Sequence, residues 1–342
     1  MIVREAGPED GETLAALAEA TPDGGPVAFR REHHVPAGQI ARDHEISEQF
    51  VAEADGVVAG TARLDVGSCR FEGEDVRYAL LDSLQVHSDY RQQGVAALLT
   101  DRRLARAKEL AGDDVVTLAY IQSGNTGSLA NARRWATQIG GQLVVTPVPM
   151  RSRPPRPVAG LTVRPAAPAE LGEIAATVDE HYADHDFARR WDATRLADWL
   201  AASPLPDPVN HYLVVTDQSG RLLAGLGLRE EGKLTSLVMG RLPLHLRAAN
   251  AVLRIVPPDH RVRNLVVDKA WFAPGQLEAA RHLWEMTRWE WRAAGTSLLL
   301  THDPRSPVHQ VVAARPGLTT TSATIAVSST RPMRQETLVE QL

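Results

Sequence analysis

The alternation of apolar and polar residues predicts a chain of strands and helices rather than a helical bundle or a β-only fold. Residues 80–99 read LLDSLQVHSDYRQQGVAALL, which is an apolar stretch, a short polar turn and an Ala/Leu-rich stretch. An apolar run followed by a turn favours a strand, and the 3.6-residue spacing after it favours a helix. The elements predicted in this region are a strand ending at Val86, a helix over 95–110, a buried strand over 114–121 and a helix over 129–139 closed by Gly140 and Gly141.

The turn between the first strand and helix has the composition of an anion site. It runs from Arg91 through Gly94 to Ala96. A glycine at the start of a helix lets the backbone approach a ligand closely, and the first-turn N–H groups have no partner inside the helix. The sequence therefore predicts a site for a phosphate or diphosphate here, although a glycine turn of this kind can also serve only to begin a helix.

Strand and turn together resemble the signature of the GNAT superfamily of acyl-CoA N-acyltransferases. The family pattern Leu-x-Val-x-Pro-x-x-Arg is met by Leu84, Val86 and Arg91, whereas Ser88 stands where the family usually has proline. The following Arg-x-x-Gly-x-Ala is met by Arg91, Gly94 and Ala96. The resemblance implies an α/β (α+β) fold with a mixed, mostly antiparallel twisted sheet flanked by helices.

The same resemblance implies acetyl-CoA as the co-substrate, without a metal. Backbone groups of the turn would hold its diphosphate, a strand N–H would polarise the thioester carbonyl beside a β-bulge, and a polar pair in the next turn would contact coenzyme A. The residues expected to bind the cofactor are Leu84, Gln85, Val86, Arg91, Gln92, Gln93, Gly94, Val95, Ala96, Asn125 and Ser128.

The expected catalytic base is Asp82, with Glu53 in reserve. A lysine-type amine has a pKa of about 10.4, so a proton must leave before the nitrogen attacks, and a carboxylate can accept it through water. Asp82 could instead make only a structural hydrogen bond or face solvent. Family members often carry a tyrosine as general acid four residues before the glycine that ends the second helix, and counting back from Gly140 gives Ala136. Ser128 or Tyr120 could replace it only if the fold brings either one close.

An internal repeat predicts two tandem GNAT folds. Residues 2–8 align with 162–168 at an offset of 160. In a second correspondence, 50–64 align with 212–228, and each of these two segments is predicted to be a hairpin. Between the copies, the proline-rich segment 147–159 predicts a linker that is neither helix nor central strand. The expected division is a catalytic domain over 1–150 and a degenerate domain over 160–342. The second copy lacks the Arg-x-x-Gly-x-Ala spacing, and Pro274 removes an N–H donor where a phosphate would need one.

Composition narrows the function classes. The chain has 342 residues and one cysteine, Cys69, which excludes an internal disulfide. Residues 1–150 hold 14 basic and 22 acidic residues, which disfavours nucleic acid as a partner and would suit a cationic amine. We expect a cytoplasmic monomer or homodimer that does not bind a membrane. Histidine clusters at His33, His34 and His44 and at His181 and His185 match no recognised zinc pattern.

The sequence thus predicts an N-acetyltransferase that acts on a primary amine of a small molecule or peptide by direct attack on acetyl-CoA. Two alternatives stay open. One is an acyltransferase that uses a longer acyl-CoA. The other is a non-catalytic acyl-CoA sensor or scaffold, which the missing tyrosine would favour.

Overall fold

The structure, a computed structural model, describes residues 1–21, 29–36, 40, 44–239, 257–312, 320–334 and 336–342. The strands are β1 Ile2–Glu5, β2 Phe29–His33, β3 Ile46–Ala54, β4 Val57–Phe71, β5 Glu74–Val86, β6 Val116–Gln122, β7 Gln138–Pro149, β8 Thr162–Pro165, β9 His185–Asp186, β10 Asn210–Thr216, β11 Leu222–Arg229, β12 Thr235–Met239, β13 Arg261–Val262, β14 Asn264–Phe272, β15 Ser297–His302, β16 Thr321–Ser328 and β17 Leu338–Val339. The helices described are α1 Gly11–Ala20, α2 Val95–Ala111, α3 Thr126–Ala132, α4 Leu171–His181, α5 Ala193–Ala201, α6 Glu231–Leu234 and α7 Leu277–Glu290.

One twelve-stranded mixed sheet runs through the molecule in the order β1-β3-β4-β5-β6-β16-β7-β15-β14-β11-β10-β8. The expected α/β class with a mostly antiparallel sheet is confirmed, because β5 with β6 and β14 with β15 are the parallel neighbours of this sheet and its other pairs are antiparallel. Strands β13, β12 and β2 form a small separate sheet that joins a strand of the first half of the chain to two strands of the second, and β17 pairs with β9.

The two halves of the large sheet repeat one topology, as the sequence repeat predicts. In the first half the order is an edge strand β1, a hairpin of β3 and β4, then β5, which pairs in parallel with β6. In the second half β8, the hairpin of β10 and β11, β14 and its parallel partner β15 follow the same order. The repeated arginine also has the same role twice. Arg4 binds Asp10 at 2.7 and 2.8 Å, and Arg164 binds Glu170 at 2.8 and 2.5 Å, fixing the entry to α1 and to α4. The repeat of topology between the two halves therefore rests on matching strands and matching contacts.

The halves are joined by exchanged strands. Strand β16, from the end of the chain, lies between β6 and β7 of the first half, and β7 in turn pairs with β15 of the second half. Ile325, Ala326 and Val327 of β16 are buried without accessible surface. The first half therefore contains a strand from the end of the chain, β16, and its own strand β7 pairs with β15 of the second half.

The prediction of a helix over 129–139 is wrong beyond its first residues. Helix α3 ends at Ala132, and from Gln138 the chain is strand β7. Two neighbours explain the difference, since β16 pairs with residues 138–145 and β15 with 144–149. Pro147 and Pro149 fit in this strand because the β16 pairing has ended at Val145, so a missing N–H there costs no bond on that side.

Helix α2 matches its predicted bounds closely and covers one face of the first half of the sheet. Its residues Val95, Leu99, Arg103 and Ala107 are buried at four-residue spacing. Val95 and Leu99 pack with Ala62, Leu64 and other apolar residues of β3 to β5 in one core cluster. Helix α1 contacts β4 and β5 as well.

Candidate functional site

Strand β5 is irregular at the position where the acyl group was expected. Ser83 has a φ of 52°, and the register with β4 shifts so that Arg63 faces Asp82 while Thr61 faces Gln85. Two residues of β5, Ser83 and Leu84, therefore stand opposite a single residue of β4, which is a β-bulge. A serine in this conformation is strained and needs support from its surroundings.

The same strand separates from its parallel neighbour. Pairing between β5 and β6 runs from Tyr78 to Leu80, opposite Val116 to Leu118, and stops there. Beyond that point the two strands diverge and leave backbone groups of β5 facing a gap. The gap opens into a cavity of about 1510 Å³. Among the described residues its walls come from residues 81–85 of β5, 119–122 of β6, Ser128, Asn131 and Ala132 of α3, Leu14, Ala15 and Ala18 of α1, and Arg30, Arg31 and His33 of β2.

The bulge determines the face on which Asp82 lies. Leu81, Leu84 and Val86 belong to the apolar cluster under α2, whereas the Asp82 side chain binds Arg63 on the other face of the strand. Without the bulge, Asp82 would share a face with Leu84 and Val86.

The floor of the cavity beside Asp82 is polar. Arg63 is buried, donates to Asp65 at 2.9 Å and also donates to Asp82, so one guanidinium holds two carboxylates. The Asp82 side chain remains 43 % exposed. Gln49 and Thr61 are hydrogen-bonded beside this pair. A sheet face beneath a helix is ordinarily apolar, so this polar floor indicates a space that holds water or a polar ligand.

The reserve base is not part of this arrangement. Glu53 lies on β3 near the sheet edge and accepts from Arg4 at 3.2 Å. It is absent from the described cavity lining, whereas Asp82 is present. The structure thus brings only one of the two candidate carboxylates to the gap between β5 and β6.

The predicted anion turn lies at the end of β5, outside the cavity lining. Gly94 has a φ of 83° and Gln92 a φ of 62°, so the chain turns sharply before α2. The first helical bond runs from Leu98 N–H to the Gly94 carbonyl at 3.0 Å, which leaves the amides of Val95, Ala96 and Ala97 without a partner inside the helix.

Side chains of the turn mostly support its shape. The Arg91 guanidinium donates to the Val86 carbonyl at 3.3 Å, and the Gln93 amide donates to the Asp89 carbonyl at 2.7 Å. Residues 91–94 are exposed and Val95 is buried. An anion at this turn would therefore meet the amide groups and the helix dipole, with Arg91 beside them.

Asn125 and Ser128 both line the cavity, but they are also bonded to each other. The Asn125 side chain accepts from the Ser128 N–H at 3.0 Å and so caps α3. Asn131, one turn along, donates to Thr100 of α2 at 2.9 Å, which ties the two helices together. The Ser128 side chain remains available to a ligand on the side of the gap opposite β5.

Tyr120 is brought to the gap by β6. Its hydroxyl donates to the Glu340 carbonyl at 3.2 Å and accepts from the Leu342 N–H at 3.0 Å. Burial raises the pKa of the phenol well above its usual value, so the group stays protonated at neutral pH and is a weaker acid than an ordinary tyrosine. The position where the family often has its tyrosine is Ala136, which lies after the end of α3.

A residue that sequence reasoning missed is Arg103. This arginine is 2 % exposed, lines the cavity and contacts the bulge through its guanidinium. A signal for it exists in the sequence, because Arg103 follows Val95 and Leu99 at four-residue spacing and so belongs to the buried stripe of α2.

The second half repeats the bulge, and the cavity that the described residues form beside it is small. Lys269 has a φ of 49°, directly after Asp268, and the register between β11 and β14 shifts at the same place. Lys269 is 8 % exposed, binds Asp268 at 2.8 Å and lies 4.0 Å from the Trp199 ring centre. Under α7 there is a cavity of about 20 Å³, room for about one water molecule.

Some other classes of site receive no support from the described part of the chain. No group of three or more histidine, cysteine, aspartate or glutamate residues there could hold a metal ion. Cys69 is buried, and burial raises the pKa of its thiol to about 12, so it is not an activated nucleophile. None of the described helices has the length and apolarity needed to cross a bilayer.

Comparison with known proteins agrees with this geometry. Residues 14–135 match the model of the Acetyltransferase (GNAT) family. No curated protein matches the chain.

Solved structures extend the likeness of fold to almost the whole chain. A GCN5-related N-acetyltransferase from Sphaerobacter thermophilus superposes with a TM-score of 0.59 at 16 % identity, over 97 % of this chain and 96 % of that one. N-myristoyltransferase from Saccharomyces cerevisiae, solved with bound myristoyl-CoA, gives 0.62 at 8 % identity, over 96 % of this chain and 83 % of that one. A GCN5-related N-acetyltransferase from Kribbella flavida gives 0.47 at 16 % identity over 81 % of this chain, which spans 59 % of the length of that protein.

Proposed function

We propose that this protein transfers an acyl group, acetyl in the first instance, from acyl-coenzyme A to a primary amine of a small molecule or peptide. The observation that carries the proposal is the bulge at Ser83, placed where β5 separates from β6 and beside the Asp82 carboxylate. The cavity brings together an exposed strand backbone, which can polarise a thioester carbonyl, and a carboxylate, which can accept a proton. Both features suit the chemistry of the acyltransferase family whose model the chain matches.

The cofactor would lie along β5 in the gap. Its diphosphate would be held by the amides that begin α2, with Arg91 adding positive charge, and Ser128 would contact it from α3. The thioester would then lie beside residues 84–86, where a strand N–H can donate to the carbonyl oxygen as negative charge develops on it. The contact with the thioester carbonyl requires only the backbone geometry that the bulge provides.

Two side chains would handle protons. The Asp82 carboxylate, held by Arg63, would accept a proton from the ammonium group directly or through water, and the free amine would attack the thioester carbon. The carbon–sulfur bond then breaks, the nitrogen gives its second proton to water, and the thiolate takes a proton. Tyr120 is the candidate donor for that proton, because its phenol is neutral and lies on the strand opposite β5.

The division of roles between the halves is part of the proposal. Residues 1–150 would bind acyl-CoA, and residues 160–342 would form a GNAT-like domain without catalysis of its own. Lys269 and its aromatic neighbours support this, since they fill the place that the second bulge would otherwise open. Strand β12 of the second half pairs with β2, which lines the cavity, so the second half would shape the acceptor site.

A thiol-release assay tests the proposal. The whole chain is incubated with acetyl-CoA or decanoyl-CoA and a panel of amines, and binding of coenzyme A is measured in parallel by calorimetry. Turnover with an amine and with acetyl-CoA as the better donor is the expected result. Preference for decanoyl-CoA would change the acyl group in the proposal. Binding of acetyl-CoA without turnover on any amine would identify a sensor or scaffold and would refute the enzyme.

A further inference from the structure

Arg103 is a buried cation for which the fold alone gives no obvious need. It occupies the inward stripe of α2 among Val95, Leu99 and Ala107, where an apolar residue would pack without desolvating a charge. Arg103 as a whole is 2 % exposed. Burying an unpaired charge is costly, so the contacts of its guanidinium determine what it contributes.

The guanidinium bridges the two strands at the bulge. One terminal nitrogen, Nη1, donates to the Arg63 carbonyl at 3.0 Å and to the Asp82 carbonyl at 3.2 Å. Arg63 lies on β4 and Asp82 on β5, and they are the last facing pair before the register shifts. The bridge therefore holds the two strands together at the residue before Ser83.

The other donors fix the guanidinium itself. Nε donates to the Leu99 carbonyl and Nη2 to the Thr100 hydroxyl, both at 3.3 Å. Thr100 also accepts from Asn131, so the same network extends to α3 on the far side of the gap. Burial lowers the pKa of Arg103 to about 10, which still leaves it charged at neutral pH.

We propose that Arg103 is a positioning residue, which holds the bulge at Ser83 so that the strand N–H groups of residues 84–86 face the thioester carbonyl. The inference rests on the proposed function, because it concerns the same gap and the same acyl group. It adds to that function a residue outside β5 that sets the geometry of the carbonyl site. Serine has no intrinsic preference for a positive φ, so the bulge needs such a support.

The test compares Arg103→Met and Arg103→Lys with Arg102→Met. Arg102 is the adjacent, partly exposed arginine of α2 and is the matched control, since its contacts are with Glu109 at 3.4 Å and with the Phe50 ring at 5.7 Å rather than with the bulge. We measure kcat, the KM for acetyl-CoA, the Kd for free coenzyme A and the melting temperature. A further measurement is the infrared carbonyl stretch of bound acetyl-CoA labelled with ¹³C at the carbonyl, which needs no turnover.

For Arg103→Met we expect kcat to fall about tenfold or more, as losses of carbonyl-polarising geometry do. The Kd for free coenzyme A should stay within about twofold, since the diphosphate turn is not part of the bridge. The carbonyl stretch, lowered on binding to the wild type, should return toward its value in solution. Arg103→Lys keeps a charge and should recover part of kcat and of the frequency shift, and Arg102→Met should match the wild type.

The inference is overturned if Arg103→Met keeps the wild-type kcat and carbonyl frequency. It is also overturned if kcat and coenzyme A affinity fall in parallel with the melting temperature, or if neither Arg103 variant folds, because Arg103 would then serve the fold. Failure of the proposed function gives a different result. In that case wild-type protein itself shows no turnover, and acetyl-CoA shows no shifted carbonyl stretch.

Discussion

A fragment of residues 1–155, expressed without the rest of the chain, is expected not to fold. It contains everything that the sequence assigns to the first domain, including the anion turn, Asp82 and Tyr120. It lacks β16, which lies between β6 and β7 in the intact protein. Without that strand, β6 and β7 are separated by an empty position in the sheet.

The loss is large compared with the stability of a domain. Strand β16 faces six residues of β6 and seven of β7. Ile325 and Val327 are completely buried, and burying such side chains contributes about 1.5–3 kcal/mol each. Each ladder hydrogen bond adds about 0.5–1.5 kcal/mol net. The sum is on the order of 10 kcal/mol, similar to the whole free energy of unfolding of a typical domain, about 5–15 kcal/mol.

A fusion provides the matched control. Thr321 faces Val145 in the antiparallel β7–β16 pair, so a short Gly/Asn linker can join residue 147 to residue 320 and make a hairpin of β7 and β16. Urea unfolding followed by circular dichroism and calorimetry with coenzyme A are measured for the fragment and for residues 1–147 fused to 320–329. We expect a cooperative transition and binding only for the fusion. A cooperative transition for residues 1–155 alone would refute the reasoning.

Three substitutions test the proton groups. Asp82→Asn should lower kcat about 100-fold or more with little change in the Kd of coenzyme A, and equal activity over pH 6–9 would remove the base role. Tyr120→Phe should lower kcat about 10-fold or more in steady-state kinetics, an effect that shrinks if a donor with a more acidic thiol is used. Glu340 has a pKa raised to about 8, from an ordinary 4.5, first by burial and then by Asp268, so its favourable contribution to stability is complete below pH 4.5 and is lost as the pH rises to about 8. At 1.36 kcal/mol per pH unit, the loss of stability has an upper limit of about 5 kcal/mol. Because the residue keeps some solvent contact, we expect the free energy of unfolding of Glu340→Gln to exceed that of the wild type by about 2–3 kcal/mol at pH 8 in denaturation curves. A difference that does not change with pH would contradict the assignment.

Local signals in the sequence predict the turn and α2 well. Glycine at position 94 is needed because its φ of 83° is unfavourable for other residues, and the apolar spacing of α2 reflects packing on one face. The internal repeat predicts the tandem architecture, because the same residues carry the same contacts, as Arg4 and Arg164 do.

What the sequence does not predict depends on distant partners. Residues 138–149 are strand because β16, almost two hundred residues later, and β15 pair with them, and no local pattern encodes these neighbours. The family resemblance implied a bulge in this strand but not its position at Ser83, since serine has no preference for it and the residue that contacts it, Arg103, lies on α2. The face of Asp82, and therefore its place in the cavity, follows from that bulge.

The two bulges explain why the cavity described beside the first is large and the one described beside the second is small. The residue facing Asp82 is Arg63, whereas Gly227 faces Asp268, where a Cβ would lie 2.4 Å from the Asp268 Oδ1 atom. Without an arginine opposite, Asp268 binds the bulge residue itself, Lys269, whose ammonium is buried against tryptophan rings. In the first half the bulge residue is the small, exposed Ser83, and the carboxylate is held from the side by Arg63. The backbone is equally bent in both halves, so the side chains at and opposite the bulge decide whether space for a ligand remains.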